Sequence, residues 1–320
     1  MSLFTEKLFK NGDKIIVAVS GGPDSMCLLH NLLKLQKKLN LVLIVAHVNY
    51  KLRGKDSDMD QKLVQDFCRQ SNLACFVKKV NDITLSDSNL EAKLREIRYG
   101  FFEEVRKKQN ADKIVLAHNQ DDQIETILMR ILRGTGLKGL RGILKKRDKI
   151  MRPLLNVSRQ EILDYCKENK VEFHVDQSNY DKRFFRNQVR HQILPFLEKY
   201  SPDLRLNLKR LGKLAQRDYD FIQKSAQKEL KKLILEDTKS GLVLGYKKWL
   251  KLDPALQYET LRQAVLKIRG NLTGIKLVHW EEVISVLRKG VGNKRKILPG
   301  GLKIELLNGK IIIGQSKADS

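Results

Sequence analysis

Residues 14–25, KIIVAVSGGPDS, decide the fold. Residues 14–20 are almost continuously apolar and rich in valine and isoleucine, which is typical of a strand buried on both faces of a parallel sheet. Two adjacent glycines then precede a segment with helical spacing. Glycine lets main-chain amides approach an anion closely, and the positive N-terminal end of a helix favours phosphate. The sequence therefore predicts a phosphate-binding loop made of Ser20, Gly21, Gly22, Pro23, Asp24 and Ser25.

The same alternation continues through the first half of the chain. Residues 41–47, 74–80 and 113–118 predict further buried strands, and residues 24–39, 58–71, 89–110 and 121–133 predict helices between them. Strands that alternate with helices over short connections predict an α/β fold with a doubly wound, mainly parallel, Rossmann-like sheet. Residues 134–142 (GTGLKGLRG) predict a loop, and residues 158–169 predict a helix that begins with a Ser158–Glu161 capping box.

The pattern changes near residue 201. We expect residues 1–200 to form the catalytic domain, residues 201–235 a basic helical linker, and residues 236–320 a smaller α+β domain. In that last part, residues 254–269 and 278–289 have helical spacing. Residues 241–245, 294–298, 302–307 and 310–314 predict short strands.

Charge indicates the kind of partner. The chain has 62 Lys+Arg against 37 Asp+Glu, a net charge of +25, which attracts polyanions such as nucleic acid. A lysine-rich, ion-paired surface is the alternative, but the acids do not match the bases in number. The chain is 42% hydrophobic, so it is too apolar to be disordered.

The sequence also indicates the location of the protein and the redox state of its cysteines. We find no apolar run long enough to span a membrane and no secretory signal, so we expect a cytoplasmic protein without a membrane partner. The four cysteines lie 41, 7 and 91 residues apart, which matches neither a CxxC pair nor a metal finger. We expect them to be reduced thiols.

The phosphate loop excludes one large class of nucleotide enzymes. The GxxxxGK[ST] motif, in which a lysine reaches the β- and γ-phosphates, is missing. A loop with an aspartate instead of that lysine suits the binding of pyrophosphate through Mg²⁺, while a nucleophile attacks the α-phosphate. The loop therefore favours adenylation.

Several strings carry a family resemblance. SGGPDS resembles the pyrophosphate loop of the N-type ATP pyrophosphatases, the PP-loop superfamily. Within it, the order of strings is similar to that of the tRNA(Ile)-lysidine synthases, with Tyr50 where a second histidine is usual. The match covers about the first 200 residues and includes residues 47–53 (HVNYKLR), 91–99 (EAKLREIRY), 118–140 (HNQDDQIETILMRILRGTGLKGL), 152–155 (RPLL), 176–179 (DQSN) and 186–190 (RNQVR).

The resemblance implies a tRNA-modifying ligase. Such enzymes use ATP to adenylate C2 of the wobble cytidine in a CAU-anticodon tRNA(Ile), and free L-lysine then displaces AMP to form lysidine. The expected substrates and cofactors are therefore ATP, Mg²⁺, L-lysine and tRNA(Ile). The C-terminal domain is expected to contact the tRNA.

The resemblance also assigns roles to residues. On a helical wheel Asp122, Glu125 and Thr126 share a polar face, which the resemblance assigns to lysine binding. From the residues alone, the two carboxylates suit an ammonium group, Mg²⁺ or a general base equally. The resemblance implies Mg²⁺ binding for Asp24. The predicted catalytic residues are Asp24, Arg95, Arg98, Asp122 and Glu125.

Two of these predictions have plain alternatives. Arg95 and Arg98 are candidates for neutralising charge on the α-phosphate, but they also suit ion pairs with Glu91 and Glu96. His47 is a candidate for the ATP pocket, but it also suits a core histidine.

Basic residues beside aromatic ones predict the tRNA surface. Residues 182–191 (KRFFRNQVRH) place four bases around Phe184 and Phe185 with no acid between them, which suits RNA phosphates and splayed bases. The alternative is a phenylalanine core with a solvated basic rim. The predicted tRNA-binding residues are Arg133, Lys182, Arg183, Arg186, Asn187, Arg190, Lys209 and Arg210, with support from Lys138, Arg141, Lys145, Lys146, Arg147, Lys213 and Arg217.

Three rival functions remain at this stage. A PP-loop tRNA cytidine thiolase also adenylates a carbonyl, but it normally needs paired or cluster-binding cysteines. An amidating ligase needs an ammonia source, usually a glutaminase cysteine. A catalytically silent RNA-binding protein accounts for the charge and leaves the phosphate loop unexplained.

Overall fold

The computed structural model describes residues 3–4, 6–80, 90–175, 184–238, 241–290 and 294–315. The chain forms two compact units, Met1–Leu214 (unit 1) and Ala215–Ser320 (unit 2). The dividing point falls inside one long helix, Leu204–Leu233, and between the limits expected at residues 200 and 235. The domain roles assigned to those residue ranges stay predictions.

Unit 1 contains a six-stranded sheet in the order β3-β2-β1-β4-β6-β5. All neighbours pair in parallel except β5 and β6, which are antiparallel. This confirms the doubly wound, mainly parallel sheet. The strands β5 and β6 were not predicted, because two residues each are too few to show a hydrophobic pattern. The strands are β1 (Lys14–Ala18), β2 (Val42–Asn49), β3 (Ala74–Lys79), β4 (Lys113–Val115), β5 (Lys146–Arg147) and β6 (Ile150–Met151).

Helices cover both faces of this sheet. Ile15 and Val17 of β1 belong to one hydrophobic cluster, whereas Ile16 belongs to a second one with Phe101 and Phe102. Side chains alternate along a strand, so these two clusters lie on opposite faces. The helices are α1 (Pro23–Leu39), α2 (Lys55–Gln70), α3 (Leu90–Lys108), α4 (Gln120–Leu132), α5 (Leu137–Leu140), α6 (Arg159–Glu168), α7 (Phe185–Gln188), α8 (Leu194–Glu198) and α9 (Leu204–Leu233).

The segment predicted as a loop at residues 134–142 is partly helical, since it contains α5. Arg130 of α4 organises it by donating hydrogen bonds to the carbonyl oxygens of Gly139 (2.7 Å) and Gly142 (2.8 Å). The predicted capping box of α6 is confirmed. The Ser158 side chain accepts from the Glu161 amide, and the Glu161 carboxylate accepts from the Ser158 amide.

Unit 2 contains a five-stranded antiparallel sheet in the order β7-β8-β11-β10-β9. The end of α9, predicted to be helical to residue 235, stops at Leu233, and a strand that was not predicted follows it. Trp249 and Trp280 lie in the core of this unit. The remaining elements are β7 (Ile234–Thr238), β8 (Gly241–Gly245), α10 (Tyr246–Leu250), α11 (Pro254–Arg269), α12 (Leu277–Arg288), β9 (Arg295–Leu298), β10 (Leu302–Leu307) and β11 (Lys310–Gln315).

Two further expectations concern the whole chain. All four cysteines are free thiols, and three of them are buried, as expected. Within the described ranges, none of the helices has the length and apolar character that crossing a membrane requires.

Candidate active site

The site lies where the chain changes direction across the sheet of unit 1. From β1 the chain passes to β2 and β3 on one side, and it then returns to β4 on the other side. Doubly wound sheets bind ligands at such a point, in the crevice outside the carboxyl ends of the strands. The phosphate loop follows β1 and helix α4 follows β4, so the topology brings these two segments together.

Hydrogen bonds to the Ser25 side chain fix the conformation of the phosphate loop. Ser25 Oγ donates to the Gly22 carbonyl (2.9 Å) and accepts from the Ser20 amide (3.1 Å). Gly21 has a φ of +94°, and a side chain there would meet Asp60 Cβ at 3.3 Å. A glycine is therefore required at this position. Gly22 caps α1, so the loop leads directly into the positive end of that helix.

Asp24 links the phosphate loop to the N-terminal ends of α4 and α6. Its carboxylate accepts a hydrogen bond from Asn119 Nδ2 (3.0 Å) and pairs with the Arg159 guanidinium. Burial raises the pKa of Asp24 above its ordinary value, while Arg159 and Asn119 act in the opposite direction. A single carboxylate suits Mg²⁺ that is also bound by substrate phosphates. Among the described residues, no group of three or more His, Cys, Asp and Glu side chains forms a metal cage.

Helix α4 begins with a capping box that fixes Asp122. Asn119 accepts from the Asp122 amide (3.0 Å), and Asp122 Oδ2 accepts from the Asn119 amide (2.9 Å). Because Asn119 also donates to Asp24, one residue caps α4 and joins it to the phosphate loop. The other oxygen of Asp122 faces Arg186 Nη2 at 3.0 Å.

Glu125 lies one turn further along α4 and is buried. Arg186 Nε donates to its Oε2 (2.8 Å) and Arg190 Nε donates to its Oε1 (2.5 Å). The two carboxylates Asp122 and Glu125 therefore share two guanidinium groups. Burial acts to lower the pKa of Arg186 and Arg190, but attraction to the carboxylates outweighs it and raises both pKa values, so both guanidinium groups are charged at neutral pH.

This arrangement connects two predictions that the sequence kept apart. Asp122 and Glu125 were expected to bind lysine, and Arg186 and Arg190 were expected to bind tRNA, but the structure pairs them with one another. Thr126 lies half-buried next to Glu125 on α4. All these roles stay predictions.

A group of arginines surrounds His118 at the end of β4. Arg152 Nε donates to His118 Nδ1 (3.3 Å), and Arg152 Nη2 contacts the Tyr99 hydroxyl (3.5 Å). The guanidiniums of Arg95 and Arg98 lie 4.6 and 5.8 Å from the centre of the Tyr99 ring. Burial, and then Arg152 and its neighbouring arginines, holds the pKa of His118 well below its ordinary value. The imidazole is therefore neutral, and the hydrogen bond at Nδ1 places its proton on Nε2.

His118 and Arg152 are functional candidates that sequence reasoning missed. Both lie in strings that carry the family resemblance, HNQDD and RPLL, but neither string assigned them a role. The alternative for Arg95 and Arg98 can also be examined. Within the described part of the chain, neither arginine forms an ion pair with Glu91 or Glu96, and both instead lie against Tyr99.

His47 lies at the end of β2, beside the start of the phosphate loop. Its Nδ1 bonds to the Val19 carbonyl (2.8 Å), so Nδ1 carries the proton and Nε2 offers a lone pair. Burial lowers the pKa of His47, which favours this neutral form. Its Nε2 is buried and, among the described residues, is the one buried side-chain nitrogen or oxygen without a hydrogen-bond partner. The core alternative accounts for the burial of His47 but leaves this nitrogen unexplained.

The remaining predicted tRNA-binding residues are scattered over unit 1. Arg133 is exposed and stacks on Phe185 at 5.2 Å, and Arg210 is exposed. Asn187 is half-buried, and Lys209 donates to Gln120 (3.1 Å). Lys182 and Arg183 lie outside the described residues, as do residues 176–179. Among the supporting bases Lys146 and Arg147 are exposed, whereas Arg141 is buried and is not part of an exposed surface.

Comparison with known families now adds to this geometry. The PP-loop domain matches residues 2–197, which include the phosphate loop, α4 and both paired arginines. The chain belongs to the PP-loop family. The resemblance of SGGPDS to the loop of the PP-loop superfamily is therefore confirmed.

Several curated proteins named tRNA(Ile)-lysidine synthase are similar to this chain over most of its length. The one from Clostridium tetani is 39% identical over 306 residues, which cover 94% of this chain and 64% of the relative. The one from Bacillus subtilis is 34% identical over 301 residues, which cover 92% and 64%. The chain thus spans less than two thirds of the length of these relatives.

A solved structure confirms the PP-loop fold independently of close sequence similarity. A U34-tRNA thiolase from Methanococcus maripaludis, with its [4Fe-4S] cluster, aligns with a TM-score of 0.53 at 22% identity. The alignment covers 67% of this chain and 75% of the thiolase.

Proposed function

We propose that the chain is an ATP-dependent ligase that converts the wobble cytidine of a CAU-anticodon tRNA(Ile) to lysidine. In this reaction ATP and L-lysine are consumed, and AMP and pyrophosphate are released. The observation that carries the proposal is the 3.0 Å hydrogen bond from Asn119 to Asp24, because it joins the phosphate loop to the helix that bears Asp122 and Glu125. A site for phosphate and a site for an ammonium group therefore share one crevice. The names of the relatives support tRNA(Ile) as the substrate and lysidine as the product, and the sequence resemblance implies ATP, L-lysine and the CAU anticodon.

In the first step, the C2 carbonyl oxygen of the cytidine attacks the α-phosphorus of ATP, and the bond to pyrophosphate breaks. Amides of the phosphate loop and the positive end of α1 hold the leaving pyrophosphate. Mg²⁺, when bound by Asp24, supplies positive charge to the phosphates. Arg95, Arg98 and Arg152 are positioned to offset charge at the α-phosphate. His47 Nε2 accepts a hydrogen bond from a donor group of ATP, which gives this buried nitrogen a partner.

In the second step, the ε-amine of lysine attacks C2, the bond from C2 to the AMP oxygen breaks, and the nitrogen loses a proton. Free lysine has an ε-amino pKa near ~10.4, so the site must bind an ammonium group and then accept its proton. Asp122 and Glu125 perform both tasks. Lysine displaces a guanidinium from one of these carboxylates, and the released Arg186 or Arg190 becomes available for a tRNA phosphate.

The thiolase alternative is weaker. It shares the fold, but cluster chemistry needs several cysteines together. Cys27 and Cys166 are buried, and the described residues contain no group of three or more potential metal ligands. The alternative of a catalytically silent RNA-binding protein does not explain the paired carboxylates or the phosphate loop.

The test is a reaction of the purified chain with ATP, Mg²⁺, labelled lysine and separate unmodified transcripts of CAU-anticodon tRNA(Ile) and tRNA(Met). We expect lysine in the isoleucine transcript alone, with one AMP and one pyrophosphate for each lysine attached. AMP release without lysine attachment would point to another nucleophile. No AMP release with any tRNA would contradict the proposal and favour an RNA-binding protein.

A further inference from the structure

One face of α9 within unit 2 carries exposed bases, and three of them form no ion pair among the described residues. The side chains of Arg217, Phe221, Lys224, Lys228 and Lys231 are all exposed, and we refer to them as the α9 stripe. Their spacing of four, three, four and three residues places them within about 80° of the helix circumference, at 100° per residue. Residues of the opposite face, such as Tyr219, Ala226 and Leu230, are buried. The stripe is therefore the outward face of a firmly packed helix.

The charge of this face is of one sign. The acids of the same stretch, Asp218, Asp220 and Glu229, fall outside the arc of the stripe on the helical wheel. Asp218 accepts from Arg217 at 2.8 Å, where both side chains are exposed, and such a surface pair contributes little. Glu229 is already paired with Lys232 (2.7 Å). Lys224, Lys228 and Lys231 have no acidic partner among the described residues.

Four other lysines of unit 2 differ from these three in this respect. Lys267, Lys296, Lys303 and Lys310 each form an ion pair, with Asp237, Glu282, Glu305 and Glu236 respectively. Unpaired bases also occur elsewhere in the described part of unit 2, for example Lys289 and Arg295, but the stripe aligns three unpaired lysines along one face of a single helix. Mutual repulsion of Lys224, Lys228 and Lys231 at i, i+4 and i+7 is unfavourable for the isolated helix. A bound polyanion relieves that repulsion.

We propose that the α9 stripe binds the phosphate backbone of the tRNA. From Arg217 to Lys231 the helix rises about 21 Å, at ~1.5 Å per residue. Over that length a nucleic-acid duplex presents about a dozen phosphate charges, at ~1.7 Å per charge. A membrane surface is a poorer match, because Phe221, 73% exposed, is the one large apolar side chain in the arc. The inference rests on the proposed function, which supplies tRNA as the polyanion.

The test uses the full chain and the isoleucine transcript, with binding measured by fluorescence anisotropy over a series of salt concentrations. The variant is Lys224→Glu/Lys228→Glu/Lys231→Glu. The matched control, Lys289→Glu/Lys294→Glu/Arg295→Glu, makes the same change in net charge at exposed positions of the same unit. Because both tryptophans of the chain, Trp249 and Trp280, lie in unit 2, their fluorescence reports whether the unit is folded. A second variant with glutamine at the three stripe positions serves if the glutamates disturb folding.

We expect the stripe variant to bind at least tenfold more weakly than the control at moderate salt. Loss of three phosphate contacts should also make the slope of log K against log [salt] shallower by about two to three, at ~0.7–0.9 per contact. At saturating tRNA the rate of lysine attachment should match that of the wild-type chain, while the KM for tRNA rises. A stripe variant whose affinity and slope change no more than those of the control would overturn the proposal.

These outcomes separate the two proposals. A wild-type chain that binds the transcript but attaches no lysine contradicts the proposed reaction and leaves RNA binding by the stripe to be decided by the variants. A wild-type chain that attaches lysine, with a stripe variant that binds like the control, contradicts the stripe alone.

Discussion

Unit 1 and unit 2 each contain a buried glutamate that is hydrogen-bonded to arginine, to two arginines in unit 1 and to one in unit 2, and the two clusters differ in how far the guanidinium groups are exposed. In unit 1 the Glu125 side chain is 2% exposed, but those of Arg186 and Arg190 are 27% and 29% exposed. In unit 2, Glu259 and Arg262 are 5% and 8% exposed. The Tyr219 hydroxyl completes the unit 2 cluster, because it donates to Glu259 (2.9 Å) and accepts from Arg262 (2.8 Å).

Because of this difference in guanidinium exposure, the cluster in unit 1 can exchange partners and the cluster in unit 2 cannot. Arg186 and Arg190 are partly exposed, so in the proposed reaction the lysine ammonium can replace a guanidinium at Glu125 without leaving a charge buried and unpaired. Arg262 has no such route, because removing its carboxylate leaves it buried between α9 and α11. We therefore propose that the same chemical pair serves substrate binding in unit 1 and packing in unit 2. Burial of the carboxylate alone does not distinguish these roles.

The largest expected effect comes from breaking the cluster in unit 2. Glu259→Gln should lower the free energy of unfolding of unit 2 by about 3 kcal/mol or more, since it leaves Arg262 as an uncompensated buried charge. Urea unfolding followed by fluorescence measures this directly, because both tryptophans lie in unit 2. Lysine attachment under conditions where the unit is folded should be unchanged. A double variant, Glu259→Gln/Arg262→Met, should recover much of the loss. If it does not, the buried charge is not the cause.

Glu125→Gln should have the opposite profile. We expect lysine attachment to fall by about 100-fold or more, because an amide neither attracts an ammonium group strongly nor accepts its proton. Affinity for tRNA should change much less. The measurement is single-turnover attachment of labelled lysine, with the fraction of folded protein determined in parallel. A loss of activity no larger than the loss of folded protein would make Glu125 a structural residue like Glu259.

Local sequence was sufficient to predict the parts of the site that are formed by residues close together in the sequence. The glycines of the phosphate loop, the Ser158–Glu161 capping box and the valine-rich strands each depend on neighbouring residues, and all were predicted. Asp122 was placed correctly on the same polar face as Glu125, because helical periodicity is a local property. The fold class followed from the alternation of such segments.

Pairings between distant residues could not be predicted in this way. Arg186 lies 61 residues from Glu125, and Asn119 and Arg159 lie 95 and 135 residues from Asp24. Nothing in the residues nearby indicates these partners, because they are brought together by the return of the chain to β4 beside β1. The arginines of residues 182–191 were therefore assigned to RNA or to a solvated rim, whereas the structure pairs Arg186 and Arg190 with the carboxylates of the site.

The smallest expected effect uses Tyr219 to show that the unit 2 cluster is closed to solvent. Burial, and then the charge of Glu259, raises the pKa of Tyr219 to about 12, against about 10 in an unfolded chain. Between those values the folded state holds a proton that the unfolded state has lost. The stability that the protonated Tyr219 hydroxyl contributes is therefore complete below pH 10. It is lost as the pH rises toward 12, and the loss at pH 11 is about 1 kcal/mol.

Tyr219→Phe isolates this contribution from the other groups that titrate in the same range. Unfolding of unit 2 by urea at pH 8 and at pH 11 gives the difference in stability for each protein. The wild-type chain should lose about 1 kcal/mol more than the variant between these two pH values. Equal losses would mean that Tyr219 titrates as freely as in the unfolded chain. The cluster in unit 2 would then be as open to solvent as the one in unit 1, and guanidinium exposure would no longer separate the two roles.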